Sequence, residues 1–149
     1  ACATAHTARV LLRWEPRVAM LSFSTRGSGD HESVDRVREA VRLARERDPA
    51  LLIDGELQLD AAVAPEVAAR KVPGESAVAG RANVLIFPDL NAANIACKCV
   101  QRFAGGDAYG PFLQGFAKTV SDLSRGASVA DVVGGAVLAA VHAQGLKGL

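Results

Sequence analysis

The sequence predicts a layered α/β/α fold around a mainly parallel sheet. Three short, almost wholly apolar runs at 17–23, 50–54 and 83–89 are typical of strands that are buried on both faces of such a sheet. Longer helical patterns separate these runs, as right-handed crossovers between parallel strands require. The carboxyl ends of the strands then share one edge, where ligands bind in open α/β folds.

The first crossover helix is predicted over 33–47, because its apolar residues recur at helical spacing: Val34, Val37, Val41 and Ala44. Two further crossover helices are predicted at 61–71 and 91–104. A fourth strand is predicted within 108–116, although Gly110 and Pro111 interrupt its pattern.

The last helix is predicted over 128–145. Ser128 and Asp131 form an S-x-x-D capping pattern at its start, and Gly145 is a suitable stop. Two interior glycines cost roughly 1 kcal/mol each relative to alanine. We therefore expect close helix packing at Gly134 and Gly135.

Composition excludes several classes of protein. The 149 residues carry 17 Lys+Arg against 16 Asp+Glu, and half are hydrophobic, which predicts an ordered domain without a general affinity for nucleic acid. Three cysteines and three scattered histidines give no disulfide scaffold and no metal site. The most apolar run, 132–141, is about half a membrane span. We expect a cytoplasmic protein, and the initial Ala fits a piece of a longer one.

The first candidate site is the strand-to-helix turn at 22–33, which contains hydroxyl residues, glycines and one arginine. Backbone amides and a helix N-terminus favour an anion there, and Arg26 adds a charge-assisted clamp. The alternative is a flexible turn capped by Asp30 or Ser33. The residues predicted to bind the anion are Ser24, Thr25, Arg26, Gly27, Ser28 and Gly29.

The second candidate site, at 121–131, again leads into a helix N-terminus. Ser124 and Arg125 supply a hydroxyl and a guanidinium, and Asp131 lies one turn into the helix, where its carboxylate can accept a proton. From these residues alone, a helix cap at Asp131 and a surface position for Arg125 are favoured.

Two further patterns have simpler interpretations. Asp54, Glu56 and Asp60 could hold a metal or act as bases, but a cluster at a helix start is favoured. Cys97 and Cys99 are predicted to be mostly buried in a helix that Asp89 caps.

Five segments, in this order along the chain, resemble those of a known family. They are PRVAMLSFSTRGSG (16–29), LLIDGELQLDAAVAPEVAARKVP (51–73), AGRANVLIFPDLNAANIACKCVQR (79–102), GPFLQGFAK (110–118) and DLSRGASVADVV (122–133).

With these segments, the chain from about Ala5 to Val141 resembles the carboxyl-terminal part of phosphate acetyltransferases, or phosphotransacetylases. The resemblance implies reversible acetyl transfer between acetyl phosphate and coenzyme A, by direct thiolate attack in a ternary complex. Coenzyme A is then a substrate, no cofactor is bound covalently, and the products are acetyl-CoA and phosphate. The family is usually dimeric, so a homodimer is implied.

The resemblance also implies roles for the candidate residues, through the pattern S-R-G-x-S-x-x-D. Asp131 would be the base, Arg125 the partner of the acyl-phosphate oxygens, and Ser124 a hydrogen-bonding group that orients the reactants or the developing oxyanion. The loop 24–29 would line the same cleft and help to hold phosphate. An ordinary aspartate is a weak base for a thiol, so Asp131 would need a desolvated setting or would act partly by electrostatics.

The fold implied is the second domain of a two-domain, isocitrate/isopropylmalate dehydrogenase-like architecture. Residues 1–118 would form that domain, and residues 119–149 an active-site loop and a helix that pack on a first domain absent here. An exposed apolar face is then expected on the last helix, at Val129, Val132, Val133, Val137 and Val141. The chain is therefore expected to be a fragment that is inactive alone. The rival hypotheses are phosphate butyryltransferase, a non-catalytic acetyl-CoA-binding module, and a folding or dimerisation unit.

Overall fold

The structure, a computed structural model, describes residues 1–145, so residues 146–149 of the predicted 119–149 segment lie outside it. The elements of the amino-terminal part are α1 (Cys2–Leu12), β1 (Arg17–Leu21), α2 (Glu32–Arg47), β2 (Leu52–Leu57), α3 (Leu59–Val63), α4 (Pro65–Lys71) and β3 (Val84–Ile86). The elements that follow are α5 (Leu90–Phe103), β4 (Phe112–Leu113), β5 (Val120–Ser121) and α6 (Val129–Gly145).

A parallel sheet in the order β2-β1-β3 organises the amino-terminal part. The three predicted strands are confirmed, with β2 shifted toward its carboxyl end. The pairing of β1 with β2 is regular as far as Met20 and Gly55, but Leu21 then pairs with Leu57. Glu56 is thus an extra residue without a partner in β1, and such an irregularity can redirect a side chain.

Helices cover both faces of this sheet, which confirms the α/β prediction. On one face, α1 and α2 enclose a core that includes Val18, Met20 and Val41. On the other face, Ala61 of α3 packs in a second core with Ala19, Leu21, Leu57, Val72 and Val78. Burial of each valine or leucine contributes on the order of 1.5–3 kcal/mol, so the two cores fix the strand edge that carries the site.

Two sequence predictions are corrected. The segment 108–116 adds no strand to the parallel sheet; only Phe112–Leu113 is extended, and it pairs with β5 in an antiparallel ribbon. The predicted helix 61–71 is two helices, because Pro65 has no N–H and begins α4 as its first residue.

The helix α1 was not predicted. Its small residues Ala5 and Ala8 are buried against the first core, so an alanine-rich, weakly patterned stretch packs closely. Arg13 ends the helix in the left-handed conformation, with φ 53°.

The predicted helices at 91–104 and 128–145 are confirmed, but α5 has an unexpected environment. Asp89 caps α5 by accepting a bond from the amide of Ala92 at 2.9 Å. No residue of α5 is buried among the described residues, and Cys97 and Cys99 are exposed. The prediction that these cysteines are mostly buried is therefore wrong.

The close packing expected at the glycines of α6 is found at one of them. A Cβ added to Gly134 would clash with the ring of Tyr109, so the neighbour is an aromatic ring rather than another helix. A Cβ added to Gly135 would make only an ordinary van der Waals contact, at 3.6 Å from Leu123.

Throughout residues 1–145, every helix is too short or too polar to reach across a membrane.

Candidate functional site

The predicted anion loop lies after β1, at the carboxyl edge of the parallel sheet. Ser24 and Thr25 are buried, whereas Arg26, Gly27 and Ser28 are exposed. Arg26 has φ 47°, a left-handed conformation that only glycine adopts without strain, and Gly27 follows with φ 87°. The loop is therefore tightly folded, and hydrogen bonds from the surrounding chain must hold it.

The backbone amides of this loop already have partners within the chain. Each amide from Ser24 to Gly29 donates a hydrogen bond, at 2.8–3.3 Å, to a protein oxygen. The acceptors, in chain order of the donors, are Ser22 Oγ, Ser28 Oγ, the Glu56 carbonyl, Glu56 Oε1, the Thr25 carbonyl and Ser24 Oγ. In this conformation a ligand meets the side chains of the loop rather than its amides.

Glu56 is the centre of the bonds that hold the loop. Its Oε1 accepts from the Gly27 amide at 2.8 Å and from the Ser24 hydroxyl at 2.9 Å. Arg38 of α2 donates to both carboxylate oxygens, at 3.0 and 3.1 Å. Burial opposes the charge on Glu56, but these bonds from Arg38, Gly27 and Ser24 outweigh it and lower its pKa to about 2. Glu56 is therefore a charged group near neutral pH despite its burial.

A second buried carboxylate, Asp54, holds the side chain of Arg26. Nη2 of Arg26 lies 2.9 and 2.7 Å from the two oxygens of Asp54. Arg45 also donates to Asp54, at 3.3 Å, and the Ser76 hydroxyl at 2.6 Å. Asp54 is 4% exposed, so this pairing satisfies a charge that burial would otherwise penalise.

The favoured interpretation of Asp54, Glu56 and Asp60 as a helix-start cluster is thus wrong for the first two. Both lie within β2 and pair with arginines of α2 and of the loop. Asp60 alone lies in the first turn of a helix, where it pairs with Lys71 at 2.7 Å. Within residues 1–145 no cluster of three or more histidine, cysteine or acidic side chains is arranged for a metal ion.

The second candidate site begins the helix α6. Asp131 Oδ2 accepts from the amide of Ser128 at 2.8 Å and from its hydroxyl at 2.9 Å, while Ser128 Oγ accepts from the amide of Asp131 at 3.2 Å. These reciprocal bonds form the predicted helix cap. They also lower the pKa of Asp131, first through the Ser128 amide and then through its hydroxyl. A lower pKa makes this carboxylate a weaker base.

Ser124 and Arg125 precede the cap in an exposed turn. The Ser124 hydroxyl accepts from the Gly126 amide at a long 3.4 Å, so this side chain is only loosely held. Across the described residues, no hydrogen bond or ion pair joins the turn at 124–131 to the loop at 24–29.

Sequence reasoning missed the arginines and the serine that hold the buried carboxylates. Arg38 and Arg45 are two turns apart on α2, which places both on the side of the helix that faces β2. One sequence signal could have revealed these ion pairs: two acidic residues in an otherwise apolar strand, next to a helix whose arginines are two turns apart.

A sequence model for phosphate acetyl/butaryl transferases matches residues 1–140. The chain belongs to the phosphate acetyl/butaryl transferase family. It is 59% identical over 141 residues to a phosphate acetyltransferase of Thermoanaerobacterium thermosaccharolyticum, a match that covers 95% of this chain and 43% of the relative. A phosphate acetyltransferase of Clostridium acetobutylicum is 57% identical over 144 residues, with 97% and 43% covered.

A solved member of the family has the same fold. A phosphotransacetylase from Streptococcus pyogenes superposes with a TM-score of 0.88 at 50% identity, over 97% of this chain and 43% of that one. The chain thus spans under half the length of these members of the phosphate acetyl/butaryl transferase family.

Proposed function

We propose that this chain supplies the carboxyl-terminal part of a phosphate acetyltransferase, which moves an acetyl group reversibly between acetyl phosphate and coenzyme A. The observation that carries the proposal is the family match over residues 1–140, with relatives of that name at 57–59% identity. The motif S-R-G-x-S-x-x-D is intact within the matched region, at Ser124, Arg125 and Asp131.

In the proposed reaction, the sulfur of coenzyme A attacks the carbonyl carbon of acetyl phosphate. A C–S bond forms, the bond from that carbon to the bridging oxygen breaks, and phosphate leaves with the electron pair. The thiol proton goes to Asp131, through Oδ1, because Oδ2 is the oxygen that accepts from Ser128. Arg125 stabilises the charge on the phosphoryl oxygens, and Ser124 donates to the developing oxyanion.

The loop after β1 is proposed to line the same cleft and to contact phosphate. Its contribution comes from side chains, because its amides have protein partners. Arg26 donates hydrogen bonds to Asp54 through Nη2, so the other nitrogens of its guanidinium can donate to an anion. The Ser28 hydroxyl accepts from the Thr25 amide, and that bond does not use its proton.

For the whole protein, we propose the two-domain, dehydrogenase-like architecture, with residues 1–118 in the second domain and 119–149 packed on the first. The exposed positions of Ser124 and Arg125 support this, because a base and its partners need a partly enclosed site to act. A cytoplasmic homodimer is part of the proposal. The alternative acyl group is butyryl, which the family description includes.

The test is acetyl-CoA formation from acetyl phosphate and coenzyme A by the purified chain, its Asp131→Asn variant and the control Asp122→Asn. Asp122 is an exposed aspartate of the same segment. If the parent chain has turnover, loss of the base is expected to lower it on the order of 10²–10⁴-fold, with the affinity for coenzyme A nearly unchanged. Asp122→Asn is expected to match the parent.

Equal losses of turnover and affinity in Asp131→Asn would exclude Asp131 as the base. If the parent has no turnover, a titration with coenzyme A decides between the remaining hypotheses. Binding supports a half-site that needs the rest of the enzyme. No binding at millimolar coenzyme A supports a folding or dimerisation unit.

A further inference from the structure

The loop at 24–29 already contains an anion, and that anion belongs to the chain itself. Glu56 is the extra residue of the irregular β1–β2 pairing, and its carboxylate contacts the loop at 24–29. It is 3% exposed and accepts from a backbone amide, a hydroxyl and a guanidinium. Donors of these kinds are those that a bound phosphate or carboxylate would need.

Each of these contacts bears on the shape of the loop. The Gly27 amide donates to Oε1 while the preceding residue, Arg26, is in the left-handed conformation. The Ser24 hydroxyl donates to Oε1 and accepts from the Gly29 amide, so it ties the two ends of the loop to one carboxylate. The main-chain carbonyl of Glu56 accepts from the Arg26 amide as well.

We propose that the loop 24–29 is an anion cradle whose resident anion is the Glu56 carboxylate, and that Glu56 is therefore the positioning residue that holds this loop in its strained conformation. The inference goes beyond the proposed reaction, because it concerns how the loop is held and does not require that the chain be active.

Trypsin cleavage after Arg26 measures whether the loop is held. A tightly bonded loop resists cleavage until it opens locally, so the rate follows the population of the open form. In Glu56→Ala the donors lose their anion, and cleavage after Arg26 is expected to accelerate on the order of tenfold or more. Cleavage after Arg13, which is exposed and remote from the loop, serves as the reference within each digest.

Sodium formate is the probe of the cradle, compared with sodium chloride at equal ionic strength. Formate fits the space that the Glu56 side chain leaves, so it is expected to restore slow cleavage after Arg26 in Glu56→Ala. It is expected to change nothing in the parent or in Glu75→Ala, a control at an exposed glutamate. A folded Glu56→Ala variant with parental cleavage, or with fast cleavage that formate does not slow, would overturn the proposal.

Glu56→Gln covers the case in which Glu56→Ala does not fold. The amide keeps the shape and one acceptor oxygen but removes the charge that Arg38 and the Gly27 amide stabilise. Cleavage after Arg26 is expected to be several-fold faster than in the parent, on the scale of one weakened charge-assisted bond, and formate is expected to have no effect because the space is filled. Cleavage at the parental rate in this variant would contradict the proposed role of the charge.

Discussion

Buried and exposed ion pairs contribute differently in this chain. Arg36–Glu32 and Arg42–Glu39 are helix-surface pairs with both side chains more than half exposed, and pairs of this kind contribute little to stability because water and salt screen them. The pairs of Asp54 and Glu56 are different, because each carboxylate is at most 5% exposed. Removal of a partner there leaves a buried charge without compensation.

Glu56 makes stability depend on pH in acid. Its folded pKa is about 2, against an ordinary value of 4.5, so its contribution is fully present above about pH 4.5 and is lost as the pH falls toward 2. The shift corresponds to roughly 3 kcal/mol. Urea unfolding from pH 6 to pH 2 should therefore show a smaller loss of unfolding free energy in Glu56→Gln than in the parent.

Glu75→Gln, at an exposed position, is the control for this titration, and its curve should run parallel to that of the parent. If the curves of Glu56→Gln and the parent are also parallel, the charge on Glu56 does not contribute to folding stability.

At the level of elements, α5 differs from α2. The helix α2 buries Val34, Val37, Val41 and Ala44, whereas α5 buries no residue in the described part of the chain. An isolated helix of 14 residues is marginal in water, so α5 depends on its cap and on whatever covers it. Its amides should exchange with deuterium at least about tenfold faster than those of α2.

Hydrogen exchange followed by mass spectrometry on peptides from the two helices checks this. Equal protection in dilute samples would show that α5 is held by contacts that its exposed surface does not reveal. Protection that rises with protein concentration would instead indicate that a second copy covers the helix.

The predictions from sequence succeeded where one pattern decides an element. The runs at 17–23, 50–54 and 83–89 are short and mostly apolar, and α2 has a clear apolar stripe, so these elements follow from the hydrophobic pattern alone. The helix α1 was missed because alanines carry little periodic signal, and α3 and α4 were merged although Pro65, a favoured first residue of a helix, marks the break between them.

The candidate sites were predictable in part. The loop at 24–29 and the helix cap at Asp131 were predictable, because each depends on residues that are close together in the sequence. The sequence did not reveal that Glu56 fills the loop, because this contact depends on a one-residue irregularity between β1 and β2 that no local pattern indicates.

The described part of the chain exposes many large apolar side chains, and those on α5 and α6 are among them. On α6 the five valines that the sequence singled out are 39–81% exposed, and on α5 Leu90 and Phe103 are more than 80% exposed. The relatives are more than twice as long as this chain, so they contain further segments that could cover these helices. The exposed face was expected on α6 alone; the structure adds α5.

The chain should therefore bind the apolar dye ANS in its native state. Phe103→Lys should reduce the fluorescence of the bound dye, whereas Leu43→Lys, at a half-exposed position on α2, should not. Light scattering on the same samples reports self-association. A monomer that does not bind the dye would contradict the conclusion that α5 and α6 present an open apolar surface.

The two exposed cysteines of α5 can be used to measure the accessibility of two sides of this helix. Residues two apart on an α-helix lie about 200° apart around its axis. Cys99 stands between Ile95 and Phe103 at four-residue spacing, while Cys97 has Asn94 and Gln101 on its side of the helix at three- and four-residue spacing. Alkylation of Cys99 relative to Cys97 thus reports which side of α5 becomes inaccessible when this chain meets the rest of an enzyme or another copy of itself.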